Sequence, residues 1–96
     1  MNQYEVLYII NDTLDEAGKK ALVERFSKLV TDNGGTVDSI DEWGTRKLAY
    51  PIEDMESGYY VLMNFQSAPE FPAELERNMR ILAENVLRFM VTRKGE

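Results

Sequence analysis

Three observations predict an α+β domain with the split β-α-β-β-α-β order. Two amphipathic helical patterns are separated by a pair of strand-like runs, and a further strand-like run stands at each end. The 96 residues are enough for one two-layer core and too few for two. This order is the ferredoxin-like arrangement: a four-stranded antiparallel sheet with both helices on one face, given right-handed crossovers.

Residues 4–10 place Tyr4, Val6, Tyr8 and Ile10 on one side and Glu5, Leu7 and Ile9 on the other, as in a largely buried strand. Asn11-Asp12-Thr13 supplies turn residues, and Thr13 with Glu16 has the spacing of a capping box that opens a helix. Leu22, Phe26, Leu29 and Val30 recur at helical spacing among charged residues, and Gly34-Gly35 stops the helix. Residues 36–52 form a long second strand closed by Pro51. Its alternation slips around Glu42 to Gly44, where a bulge is expected. Glu53 to Gly58 is a polar connection into a third strand at 59–66, which makes strands two and three a hairpin. Ser67-Ala68-Pro69-Glu70 leads into a second helix with Phe71, Leu75, Met79 and Leu82 on its apolar face. Asn85 marks its end, and residues 86–92 are a fourth strand. Strands one and three are expected at the centre of the sheet. The domain then spans residues 1–92, with 93–96 as a short tail.

Seventeen acidic and eleven basic side chains give a net charge of −6, which argues against a basic envelope around DNA; no DNA partner is expected. Charge is uneven: nine acids and four bases precede Trp43, eight acids and seven bases follow Thr45. The second half is the better face for a polyanion. The absence of cysteine and histidine removes disulfides, Cys or Ser-His nucleophiles and ordinary zinc sites, and fits a reducing cytoplasm. No cofactor or metal is expected. The N-terminus has no signal-peptide pattern and no apolar run approaches the roughly twenty residues that span a bilayer, so no membrane partner is expected.

The run Arg46-Lys47-Leu48-Ala49-Tyr50-Pro51-Ile52 concentrates two cations and a tyrosine at one hairpin. Arg forks onto phosphate, Lys adds a point charge and Tyr offers a flat face, so Arg46, Lys47 and Tyr50 suit nucleic acid; the competing reading is a solvated strand end. If Val6, Tyr8, Val61, Met63, Phe65, Phe89 and Val91 face the helices, alternation sends Leu7, Ile9, Tyr60, Leu62, Arg88 and Met90 to the open side of the sheet. That side is then more apolar than an uncovered sheet normally is, and Leu7, Ile9, Tyr60 and Leu62 are candidate partner contacts; scattered surface apolar residues are the plainer alternative. Gly58-Tyr59-Tyr60 matches the signature of RNA-reading sheet domains only in part, because Ser57 stands where a basic residue belongs. An acylphosphatase-like enzyme needs a basic phosphate cradle after strand one, where this chain has Asn11-Asp12-Thr13-Leu14-Asp15.

Tyr4-Glu5-Val6, Trp43-Gly44, the Arg46 to Ile52 run, Gly58-Tyr59-Tyr60, the helix from Leu75 to Ile81, and Asn85 to Met90 occur in an order that resembles the bacterial small-subunit ribosomal protein six family. The resemblance covers nearly the whole chain, and Leu48-Ala49-Tyr50-Pro51-Ile52 is its most specific piece. It implies a non-catalytic, ribosome-associated cytoplasmic protein that contacts central-domain small-subunit rRNA together with ribosomal protein eighteen. Carried over by position, it implies Arg46, Lys47, Tyr50, Arg80 and Arg88 as RNA-facing residues. Asn2 and Gln3 depart from the basic residues frequent in the family at that place. A protein-only interaction module and an acylphosphatase-like enzyme of the same fold remain the alternatives.

Overall fold

The computed structural model describes residues 1–52 and 55–94. Its elements follow the expected order: β1 (Asn2–Asn11), α1 (Glu16–Asp32), β2 (Thr36–Ile52), β3 (Met55–Ser67), α2 (Phe71–Ile81) and β4 (Val86–Lys94). The sheet runs β2-β3-β1-β4 with every neighbouring pair antiparallel, so β1 and β3 are central.

Cross-strand register sorts the side chains into rows. On the helix side lie Glu42–Val61–Tyr8–Phe89, Ile40–Met63–Val6–Val91 and Val37–Phe65–Tyr4–Arg93. Against these rows α1 packs Leu22, Val23, Phe26 and Val30, and α2 packs Phe71, Leu75 and Met79. Rings lock the layers together. Phe65 stacks on Tyr4 at 5.6 Å and meets the edge of Phe71 at 5.9 Å, while Tyr8 meets Phe26 edge-on at 5.2 Å. The seven residues expected to face the helices do so, with Phe89 and Val91 only partly buried.

Local chemistry moves some boundaries. The α1 cap is Asp15, whose carboxylate accepts from the Gly18 N–H at 2.7 Å; Thr13 instead turns back and donates to Asn11 Oδ1, so the expected Thr13 capping box does not form. At the other end the N–H of Gly35 reaches Val30 O at 2.9 Å and closes the last turn. β4 continues past Thr92, pairing Arg93 with Tyr4 and Lys94 with Gln3, so these two residues belong to the sheet and not to a tail. Of the expected connection and tail, Glu53, Asp54, Gly95 and Glu96 lie outside the described residues.

The long edge strand β2 is irregular in three places: between Val37 and Ser39, between Glu42 and Gly44, and between Lys47 and Ile52. At the second, Glu42 pairs with Val61 and Gly44 with Tyr60, leaving Trp43 without a cross-strand partner. Gly44 has φ +87°, a conformation side chains disfavour, which explains why glycine stands beside the bulge.

Among the described residues the Tyr8 hydroxyl is buried without a hydrogen-bond partner, and burial first, then Glu42 and Tyr59, pushes its acidity far below that of a free phenol. Replacing Tyr8 with phenylalanine removes a desolvated donor and keeps the ring. The variant is expected to gain about 1 kcal/mol of stability, read from the urea midpoint. A loss of similar size would show that the hydroxyl has a partner.

Candidate functional site

The second bulge decides which side chains reach the bare side of the sheet. Before it, Glu42 lies on the helix side and accepts from the Tyr59 hydroxyl at 2.6 Å. That bond above all holds the Tyr59 phenol up to about 12. Beyond it, Gly44 stands in the row of Tyr60, so Arg46, opposite Gly58, lies on the open face, while Thr45 and Lys47 belong to the helix side.

The open face then falls into two halves. One is polar: the rows Thr36–Gln66–Gln3–Lys94 and Ser39–Asn64–Glu5–Thr92, cross-linked by Asn64 donating to Ser39 Oγ and Lys94 donating to Asn64 Oδ1. The other half is apolar and aromatic, with two arginines and one acid, Asp41, among its side chains. It holds the rows Asp41–Leu62–Leu7–Met90, Gly44–Tyr60–Ile9–Arg88 and Arg46–Gly58–Asn11. Trp43 stacks on Tyr60 with ring centroids 6.2 Å apart and planes at 8°, and the Arg46 guanidinium lies 5.7 Å from the Trp43 ring centre. Arg88 closes the far end of the Tyr60 row, about 14 Å from β2 at ordinary strand spacing.

This geometry redistributes the residues singled out from sequence. Arg46 and Arg88 share the open face, both exposed and, among the described residues, both free of ion pairs. Lys47 is exposed but belongs to the opposite side, where its neighbours Thr45 and Ser57 donate to Asp12. Arg80 also lies on the helix side: it pairs with Glu76 at 3.5 Å and covers the Phe89 ring at 5.8 Å. Tyr50 is 76% exposed within the third irregular stretch of β2. Leu7, Tyr60 and Leu62 are part-exposed on the open face, joined by Met90 at 61%. Ile9 is different, because only 7% of it is accessible and it is not offered to a partner. The missing side chain of Gly58 explains this: a Cβ there would collide with Ile9 Cγ2 and touch Leu48 Cδ2 at 3.6 Å, so these two aliphatic groups close over the glycine. Trp43, which the sequence offered only as one of the residues carrying the family resemblance, is the residue that joins Arg46 to the aromatic row.

The connection after β1, where the enzyme alternative requires a phosphate cradle, is built around a carboxylate. Asp12 accepts from Lys19 Nζ and Thr45 Oγ1, both at 2.9 Å, and from Ser57 Oγ at 3.2 Å, tying β1 to α1, β2 and β3. An incoming phosphate would meet this charge and that of Asp15. The Lys19 hydrogen bond above all, helped by Thr45 and Ser57 and opposed by partial burial, holds the Asp12 carboxyl below the usual aspartate range. A depressed folded value stabilises the fold above the unfolded aspartate value and is lost as pH falls through the folded one. Asp12→Asn is therefore expected to cost about 1 kcal/mol near neutrality, and the gap from wild type should close as pH falls below about 4. Urea unfolding of both proteins between neutral and strongly acidic pH checks this; a gap that widens in acid contradicts it.

Among the described residues no group of three or more acidic side chains is placed to hold a metal ion, and no helix is long and apolar enough to cross a membrane. A family model described as Ribosomal protein S6 matches residues 3–93. Small ribosomal subunit protein bS6 of Clostridium novyi (strain NT) is 52% identical over 91 residues, 95% of each chain. Its namesake from Caldanaerobacter subterraneus subsp. tengcongensis is 48% identical over 96 residues, 100% of each chain. The crystal structure of 30S ribosomal protein S6 from Thermotoga maritima superposes with a TM-score of 0.91 at 29% identity, covering 97% of this chain and 87% of that one.

Proposed function

This chain belongs to the ribosomal protein S6 family, and from that premise we propose that it is a non-catalytic structural component of the small ribosomal subunit. In this reading it works in the cytoplasm, binding central-domain small-subunit rRNA cooperatively with ribosomal protein eighteen. The observation that carries the proposal is the divided open face. Leu7, Tyr60, Leu62 and Met90 form an apolar strip for a protein partner, and Arg46 and Arg88 flank it with guanidinium groups that form no ion pair among the described residues and are suited to phosphate. Tyr50 extends the surface at the hairpin. Lys47 and Arg80, on the other side of the sheet, take no part in it.

Charge sets the order of events. With a net charge of −6 and few cations on the interface, the free chain has weak affinity for a polyanion, and its salt dependence is shallow. A protein partner that covers the apolar strip and adds positive charge at its rim completes the surface, so the pair binds more tightly than either component. Filter-binding titrations of the chain, ribosomal protein eighteen and their mixture on a central-domain rRNA transcript test this. The mixture is expected to bind at least about tenfold more tightly than either protein, a coupling of about 1.4 kcal/mol. Tight binding by the free chain would refute cooperative assembly, and full affinity of the partner without the chain would reduce it to a protein-only module.

A further inference from the structure

We infer that Trp43 is a positioning residue that fixes the Arg46 guanidinium at the sheet surface, ready to receive an RNA phosphate oxygen. The inference rests on the reading of Arg46 as an RNA contact. Its physical basis is the way the indole is held. The bulge lifts Trp43 out of the cross-strand pairing, its Nε1–H donates to Asp41 Oδ2 at 3.1 Å, and its ring lies parallel to that of Tyr60. Two restraints from different strands leave the indole little freedom to turn. Arg46 sits over this fixed platform, 5.7 Å from the ring centre.

A guanidinium stacked on an aromatic plane keeps its N–H edges available, because the attraction uses the face of the group and not its donors. Among the described residues no side-chain acceptor engages those donors in Arg46. A long side chain normally loses rotamer freedom when it grips a ligand; one already laid on a platform loses less and binds more tightly for the same contacts. Trp43 therefore acts on RNA affinity through Arg46. A tryptophan that merely covers apolar surface would act independently of Arg46, and this difference is measurable.

The test uses the full chain with ribosomal protein eighteen and a central-domain rRNA transcript. Its variants are Trp43→Leu, Trp43→Phe, Arg46→Ala and Trp43→Leu combined with Arg46→Ala. Trp43→Leu is expected to weaken RNA binding about fivefold, and Trp43→Phe, which keeps a ring, less than about twofold. In the Arg46→Ala background Trp43→Leu adds no further loss. In the free chain, the NMR order parameter of the Arg46 Nε–H falls in Trp43→Leu and recovers in Trp43→Phe. If Arg46→Ala weakens binding but Trp43→Leu has no effect, or has the same effect with and without Arg46, the positioning role is overturned and the proposed function stands. If Arg46→Ala has no effect, Arg46 is removed from the RNA contact and the inference goes with it. Trp43 is the single tryptophan of the chain, so a second arm needs no change at that position. Arg46→Ala at its exposed site must alter the Trp43 fluorescence, and an unchanged emission overturns the stacking on which the inference depends.

Discussion

Replacement of Phe65 by alanine is expected to lower the free energy of unfolding by about 3–5 kcal/mol. Phe65 is inaccessible to solvent on the central strand β3, between the Tyr4 ring of β1 and the Phe71 ring of α2. Its neighbours belong to three elements whose backbones are fixed by pairing or by helix geometry, so the space it leaves cannot close by moving one side chain. A domain of this size has about 5–15 kcal/mol in total, so the variant forfeits a large fraction of it. Urea unfolding should show a lower midpoint at unchanged slope. Ile81, 65% exposed at the end of α2, is the control and should change stability by less than about 0.5 kcal/mol when replaced by alanine. A Phe65→Ala loss below about 1 kcal/mol would contradict the packing described above.

The second large effect separates two neighbouring cations of equal charge. Arg46→Ala is expected to weaken RNA binding by the chain and ribosomal protein eighteen about tenfold or more, the scale of one lost charge-assisted hydrogen bond. Lys47→Ala should weaken it less than about twofold, as a change in general electrostatics. Both substitutions remove one positive charge, so net charge and long-range attraction change identically. What differs is the side of the sheet and the geometry of the donor, a guanidinium fork against an ammonium point. Equal losses in filter binding would mean that the open face is not where RNA is held.

The element order, the central strands, the bounds of β2 and the bulge near Gly44 were legible in the sequence because each follows from a local pattern: periodicity, a glycine, a proline, a polar run. The helix-facing residues followed from the same alternation. What escaped depends on geometry between strands. Whether Lys47 joins Arg46 or opposes it depends on how many extra residues β2 accumulates against β3, a number that alternation within β2 does not contain. Ile9 was expected at a partner surface, yet Gly58 lets Leu48 close over it, a contact between three strands with no signature in any one of them. Asp15 replaced Thr13 as the helix cap because both are competent, and the turn that Thr13 makes with Asn11 decides between them. Arg80 was carried over from the family resemblance as an RNA contact, and the structure pairs it with Glu76. Trp43 had a signal, an aromatic beside the bulge glycine, but its link to Arg46 appears only when the register is known.

The bulge at Glu42–Gly44 also separates the indole from the continuity of the strand. Trp43 is supernumerary to the β2–β3 ladder, since its two neighbours already pair with consecutive residues of β3. Excising it would let the ladder knit straight through, with Arg46 still opposite Gly58 and the hairpin beyond undisturbed. The strand carries this side chain as slack, so a platform for one cation is open to exchange or loss without a slip of the sheet that supports it.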